Sequence, residues 1–91
     1  MVSSFEKGGQ LMNPERLQLK GMLAESKKQY GELKTQASGY VLIIRSLLNP
    51  YEDVSKLDTE KALSSMKLLY DVQAELKEVT QKIKNLEAEL E

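Results

Sequence analysis

The stretch that decides the fold is LYDVQAELKEVTQKIKNLEAEL, residues 69–90. Its apolar residues are spaced alternately by three and four positions, which is the heptad pattern of a coiled-coil helix. The resulting stripe consists of Leu69, Val72, Leu76, Val79, Ile83, Leu86 and Leu90. Because such a stripe is stable only when another helix covers it, the pattern predicts a partner helix.

The first half of the chain carries a second stripe with the same spacing. It consists of Leu19, Leu23, Ser26, Tyr30, Leu33, Ala37, Tyr40, Ile44 and Leu47. Two helices of matched length with one apolar stripe each can bury both stripes against one another. The sequence therefore predicts an all-α fold, an antiparallel coiled-coil helical hairpin.

Capping and breaking residues mark the ends of the two helices. Asn13-Pro14-Glu15 is typical of a helix start, because Asn can cap free N–H groups and Pro fits the first helical position. Asn49-Pro50 ends that helix, since the residue before proline disfavours the helical conformation. Asp58-Thr59-Glu60 starts the second helix with a capping side chain and an acid in the first turn.

These signals predict the organisation of the whole chain. We expect a disordered leader at residues 1–12, because this segment has two glycines and no periodic apolar face. The hairpin then occupies residues 13–91, with a helix at 14–48, a connection at 49–58 and a helix at 59–90. The Ser38-Gly39 pair leaves open a kink in the first helix.

Composition removes several classes of function. The 91 residues include no cysteine and no histidine, which excludes disulfides, thiolate metal sites and the commonest general base. The longest strictly apolar run, Val41 to Ile44, is far shorter than the roughly 20 residues that span a bilayer, so we expect no membrane segment and a cytoplasmic location. The net charge of −1 provides no global field for nucleic acid, which is a disfavoured partner.

Antiparallel pairing predicts which residues face each other. A turn near residue 54 implies that the numbers of facing residues sum to about 109, so that Leu33 faces Leu76. The same register places Lys20 near Glu87. Lys20, Lys27 and Lys34 recur every heptad and form a basic edge, which is most simply a solvated edge of mixed charge.

The positions beside the stripes differ between the two ends of the predicted hairpin. They are polar toward the chain termini, the open end, and apolar toward the connection, the tip. The apolar set at the tip is the predicted interface: Val41, Ile43, Leu48, Leu63, Met66, Leu68 and Tyr70, with Leu42 farther round. Two helices cannot cover a stripe this wide. Either the connection folds back through Tyr51, Val54 and Leu57, or a second copy covers the tip and forms a homodimeric short four-helix bundle.

One resemblance to known proteins is carried by IIRSLLNPYEDVSKLDTEKAL, residues 43–63. A helix that ends in Leu-Leu, an acidic connection with a proline, then Leu-Asp and a second helix resembles small helical-hairpin proteins of Mu-like prophages. The resemblance implies a phage-associated bacterial setting and carries no assigned activity.

No catalytic or ligand-binding arrangement is predicted. Glu52, Asp53, Ser55 and Asp58 supply oxygens in the connection but lack the glycine-centred spacing of a calcium loop. The sequence has no phosphate-binding glycine loop and no nucleophile with a base, so we expect no enzyme, cofactor, metal or small-molecule substrate. It favours a self-associating interaction or assembly module. The alternative is a small regulatory or chaperone-like adaptor that binds a phage or host protein through its apolar tip.

Overall fold

The structure of the protein is a computed structural model that describes residues 14–91. Helix α1 spans Pro14–Leu47 and helix α2 spans Thr59–Leu90, and a short 3-10 helix at Val54–Lys56 lies between them. The two long helices pack against each other along their length. The Arg16 guanidinium donates a hydrogen bond of 2.8 Å to the carbonyl of Leu90, so the start of α1 meets the end of α2. The predicted all-α antiparallel hairpin is confirmed.

Helix α1 begins at a proline, whose fixed φ suits the first helical position, and Glu15 follows in the first turn. The predicted leader at 1–12 and the predicted Asn13 cap lie outside the described residues. The helix ends at Leu47 rather than at the predicted Leu48. The N–H of Leu48 still donates to the carbonyl of Ile44 at 2.9 Å, but the proline two residues later prevents another turn.

The connection is held by side chains that accept hydrogen bonds from nearby backbone N–H groups. Asn49 accepts from the Tyr51 N–H at 2.9 Å, which turns the chain after α1. Asp53 accepts from the Ser55 N–H at 3.0 Å and from its hydroxyl at 2.9 Å, and these two bonds lower the pKa of Asp53 below its usual range. Asp58 caps α2 by accepting from the Lys61 N–H at 2.9 Å.

The core is the pair of apolar stripes. A central cluster of Leu33, Val72 and Val79 is buried, and Ala37, Tyr40, Leu76 and Ile83 pack against it. The predicted register places Leu76 opposite Leu33, between the two valines of this cluster. Toward the open end Ser26 and Leu86 are buried, and toward the tip Ile44, Ala62 and Ser65 are buried. Helix α1 continues unbroken through Gly39.

Candidate functional site

The packing of the two stripes divides the hairpin surface into two broad sides. On one side Lys27 Nζ lies 3.6 Å from a carboxylate oxygen of Glu87. The heptad row of α1 that contains Lys27 and the heptad row of α2 that contains Glu87 therefore lie on the same side of the hairpin. On the other side Glu15, Leu19, Met22 and Glu89 line one shallow groove. We name the first the lysine side and the second the glutamate side, for the charged residues described below.

The observed ion pair corrects the predicted one. Glu87 pairs with Lys27, not with Lys20. Side chains on a helix tilt toward its N-terminus, which lies at the open end for α1 and at the tip for α2. Lys27 and Glu87 therefore lean toward each other, whereas Lys20 leans away from Glu87. Both partners are half exposed, so this pair contributes about 0–1 kcal/mol at most.

The seven predicted interface residues are all exposed in the hairpin, and they fall on two different sides. Heptad spacing continues the row of Lys27 and Lys34 through Val41 to Leu48, so these two residues lie on the lysine side. Leu63, Met66 and Tyr70 line one open groove of about 520 Å³ on α2, and Met66 is in the row of Glu87. Five of the seven thus share the lysine side: Val41, Leu48, Leu63, Met66 and Tyr70. We call these five residues the tip patch.

The remaining two predicted residues, Ile43 and Leu68, lie on the glutamate side. Ile43 is three heptads beyond Met22, and Leu68 is three heptads before Glu89. Both side chains are nearly half exposed. Leu42 points outward between the two sides of α1 and is also exposed. The predicted interface is therefore one large apolar patch and, on the opposite side of the tip, one small apolar pair.

The connection does not cover the tip patch. Tyr51 is 94% exposed and Val54 is 80% exposed, so neither side chain folds back onto the helices. Leu57 alone of the three proposed residues is half-buried. The alternative in which all three cover the tip is wrong, because the hydrogen bonds of Asn49 and Asp53 turn the backbone locally and leave these side chains in solvent.

The described residues contain no arrangement of groups that suggests chemistry. Within residues 14–91 no cluster of three or more Asp or Glu could hold a metal ion. The lowered pKa of Asp53 arises from its hydrogen bonds to Ser55, which cap the 3-10 helix. This carboxylate is therefore a structural cap in the connection. Neither α1 nor α2 has an apolar stretch long enough to cross a membrane.

Sequence reasoning missed two members of the lysine side, Lys77 and Lys84. Lys77 and Lys84 line one groove with Tyr30, and Lys84 lines a second groove with Lys27 and Glu87. The signal was present in the sequence, because Lys77 and Lys84 continue the heptad row of Leu63 and Tyr70. Lys77 and Lys84 can be assigned to the lysine side only when the structure shows on which side of the hairpin their heptad row lies.

Comparison with known proteins adds no relative. No family model, no curated protein and no solved structure matches this chain. The resemblance to hairpin proteins of Mu-like prophages therefore stays a prediction.

Proposed function

We propose that this protein is a non-enzymatic coiled-coil assembly module that self-associates through its tip patch. The observation that carries the proposal is the exposure of five apolar side chains on one side of the tip, with Leu63 72% and Tyr70 69% exposed. Contiguous exposed apolar surface of this kind is typical of an interaction site. The smallest assembly is a homodimer in which the four helices of two hairpins form a bundle that includes the tip.

The position of the patch favours a helical partner. Val41, Leu48 and Met66 occupy the row beside the stripe, and helices with apolar residues in the stripe and in one flanking row are typical of bundles with more than two helices. A hairpin of this size also has little core of its own, so a second hairpin adds stability as well as contact area. Both features support a second copy as the partner.

The experiment that tests this proposal compares two charge-matched double variants by sedimentation. Leu63→Glu with Met66→Glu places carboxylates in the tip patch, where burial without a partner costs several kcal/mol, so self-association should fail. Ala74→Glu with Ala88→Glu adds the same charge at outward positions of α2 and should sediment as the wild type does.

Two outcomes would contradict self-association. One is a tip variant that associates as strongly as the wild type. The other is a wild type that is a folded monomer at about 1 mM, the concentration at which even a contact of roughly 4 kcal/mol is half formed. The second outcome would favour the adaptor hypothesis, in which another protein covers the tip patch.

A further inference from the structure

The lysine side carries nearly all of its charge as cations. Its lysines are Lys20, Lys27, Lys34, Lys77 and Lys84, all exposed. Glu87 is the one acidic residue in the heptad rows of this side, counted from Lys20 to Lys34 on α1 and from Met66 to Glu87 on α2. Its carboxylate already pairs with Lys27. The overall charge of −1 therefore conceals a strongly basic surface.

The glutamate side has the opposite sign. Its acidic residues include Glu25, Glu32, Asp71, Glu75, Glu78 and Glu89, which lie in the heptad rows of Ile43, Leu68 and their neighbours. Lys82 is the one lysine in these rows between Ser64 and Glu89 of α2. The acids thus lie opposite the lysines across the thickness of the hairpin.

The two sides match when two copies lie side by side in parallel without an axial shift. Each helix then lies over the same helix of the next copy, and residues with neighbouring numbers meet. Lys34 is two residues from Glu32, and Lys77 lies between Glu75 and Glu78. At 1.5 Å per residue these axial offsets are about 1.5–3 Å, which long side chains span easily.

The same arrangement also matches the apolar residues. The tip patch of one copy comes to lie on Ile43 and Leu68 of the next, because both sets lie at the tip. All seven exposed residues of the predicted interface then contribute to one type of contact. An antiparallel arrangement would instead place the tip patch against the charged open end.

A symmetric contact between two lysine sides is less favourable. If the hairpins are parallel, the lysines of both copies face each other and repel. If they are antiparallel and overlap only at the tips, the contact is about 15 Å long and about 20 Å wide, roughly 300 Å² per partner. A stable interface needs about 800 Å² per partner, which a contact along the full helix length of about 50 Å provides.

We propose that the partner of the lysine side is the glutamate side of another copy of this chain, bound in parallel and in register. The proposal rests on the self-association proposed above and names the surface that the second copy presents. Because the two contacting sides differ, each pair leaves one lysine side and one glutamate side free. Assembly therefore continues beyond two copies, as a ring or an open stack.

The experiment uses two charge-reversed variants of the full chain and their mixture. Lys34→Glu with Lys77→Glu places carboxylates opposite Glu32, Glu75 and Glu78 of the next copy, and Glu32→Lys with Glu75→Lys and Glu78→Lys places lysines opposite Lys34 and Lys77. Lys27 is kept because it pairs with Glu87 within the chain. Each variant alone should self-associate about tenfold to a hundredfold more weakly than the wild type, since several pairs change from attraction to repulsion. An equimolar mixture should recover association.

The matched control is Lys28→Glu with Ala74→Glu and Ala88→Glu, which changes the net charge as much as Lys34→Glu with Lys77→Glu does, at outward positions that lie on neither side. This variant should associate as the wild type does, and circular dichroism should show the same helix content in all the variants. Raising the salt concentration from about 20 mM to about 500 mM should weaken wild-type association, because the pairs are exposed to counterions.

Three results would overturn the proposal. If the wild type associates but both charge-reversed variants associate equally well, the tip patch acts without the charged sides, and only this inference fails. If the variants dissociate and their mixture does not recover, the contact is not between opposite sides. If the lysine variant loses binding to a 20-base-pair DNA duplex at about 20 mM salt but keeps its self-association, the lysine side is a phosphate-binding surface.

Discussion

The tip half and the open half of the hairpin have the same core but different surroundings. In both halves a residue of one stripe packs between residues of the other, and the buried positions continue from Ser26 and Leu86 to Ile44 and Ala62. In the open half the rows beside the stripe hold Lys27, Thr80 and their neighbours, whose polar ends reach water. In the tip half those rows hold the apolar tip patch.

This difference shows what a two-helix core can and cannot bury. Two helices cover the residues that lie between them, and every row beyond that remains in contact with solvent. The open half is nearly complete as a pair of helices, because among the described residues Met22 is the one apolar residue in the rows directly beside its stripes. The tip half is incomplete, because its flanking rows leave Val41, Leu48 and Met66 between 41% and 47% exposed until another surface covers them. Three pairs of substitutions test this comparison.

The largest expected effect is at the centre of the core. Leu33→Ala removes a side chain that is 6% exposed and packs in the cluster with Val72 and Val79, so it should lower the free energy of unfolding by about 2–4 kcal/mol. Leu42→Ala removes an outward leucine of the tip half that is 64% exposed, and it should change that free energy by less than about 0.5 kcal/mol. Urea denaturation at one fixed protein concentration measures both values. Equal losses would mean that the tip half has a further core beyond the stripes.

A smaller effect is expected where the connection enters α2. Asp58 accepts a hydrogen bond from the Lys61 N–H, and loss of such a cap in Asp58→Ala should destabilise the hairpin by about 1 kcal/mol. Asp71→Ala removes the same charge from an exposed position in the middle of α2 and is the control. Thermal denaturation of both variants compares them. A cap variant as stable as the control would show that the tip end of α2 does not limit stability.

The smallest effect is expected from the glycines of α1. Apart from the neighbouring residues and the backbone of the same helical turns, no heavy atom lies within 4 Å of a Cβ added at Gly21 in the open half or at Gly39 in the tip half. Gly21→Ala and Gly39→Ala should therefore each raise the free energy of unfolding by up to about 1 kcal/mol, because alanine loses less conformational freedom in a helix. Chemical denaturation at low protein concentration provides the comparison. A loss of stability at Gly39 alone would indicate a close contact in the tip half that the isolated hairpin lacks.

Local patterns were sufficient to predict the helices and the residues between them. The heptad stripes, Pro14, Asn49-Pro50 and Asp58 act within one or two turns of the chain, so their effect can be read without knowing the partner helix. The same holds for the exposed apolar residues at the tip, because a row beside a stripe is recognisable by its spacing. The predicted end of α1 at Leu48 differs by one residue from the observed end at Leu47, because the constraint from Pro50 extends back beyond Asn49.

The arrangement of charges and the state of the connection required the tertiary structure. Glu87 could have paired with Lys20 or Lys27, and the opposite tilts of side chains on antiparallel helices select Lys27. Tyr51 and Val54 have the spacing of a covering turn, yet backbone hydrogen bonds to Asn49 and Asp53 hold the chain in a form that exposes both. In each case the outcome depends on directions in space that residue spacing alone does not contain.

The sequence by itself determined that this protein forms two amphipathic helices of matched length, joined by a short capped connection, with more apolar surface at one end than a pair can bury. Only the tertiary structure decided that five of the exposed apolar residues share one side with the lysines, while Ile43 and Leu68 share the other with the acids. The physical reason is that periodicity specifies the angle of a residue around its own helix. Which side of the hairpin that angle faces depends on how the second helix lies against the first.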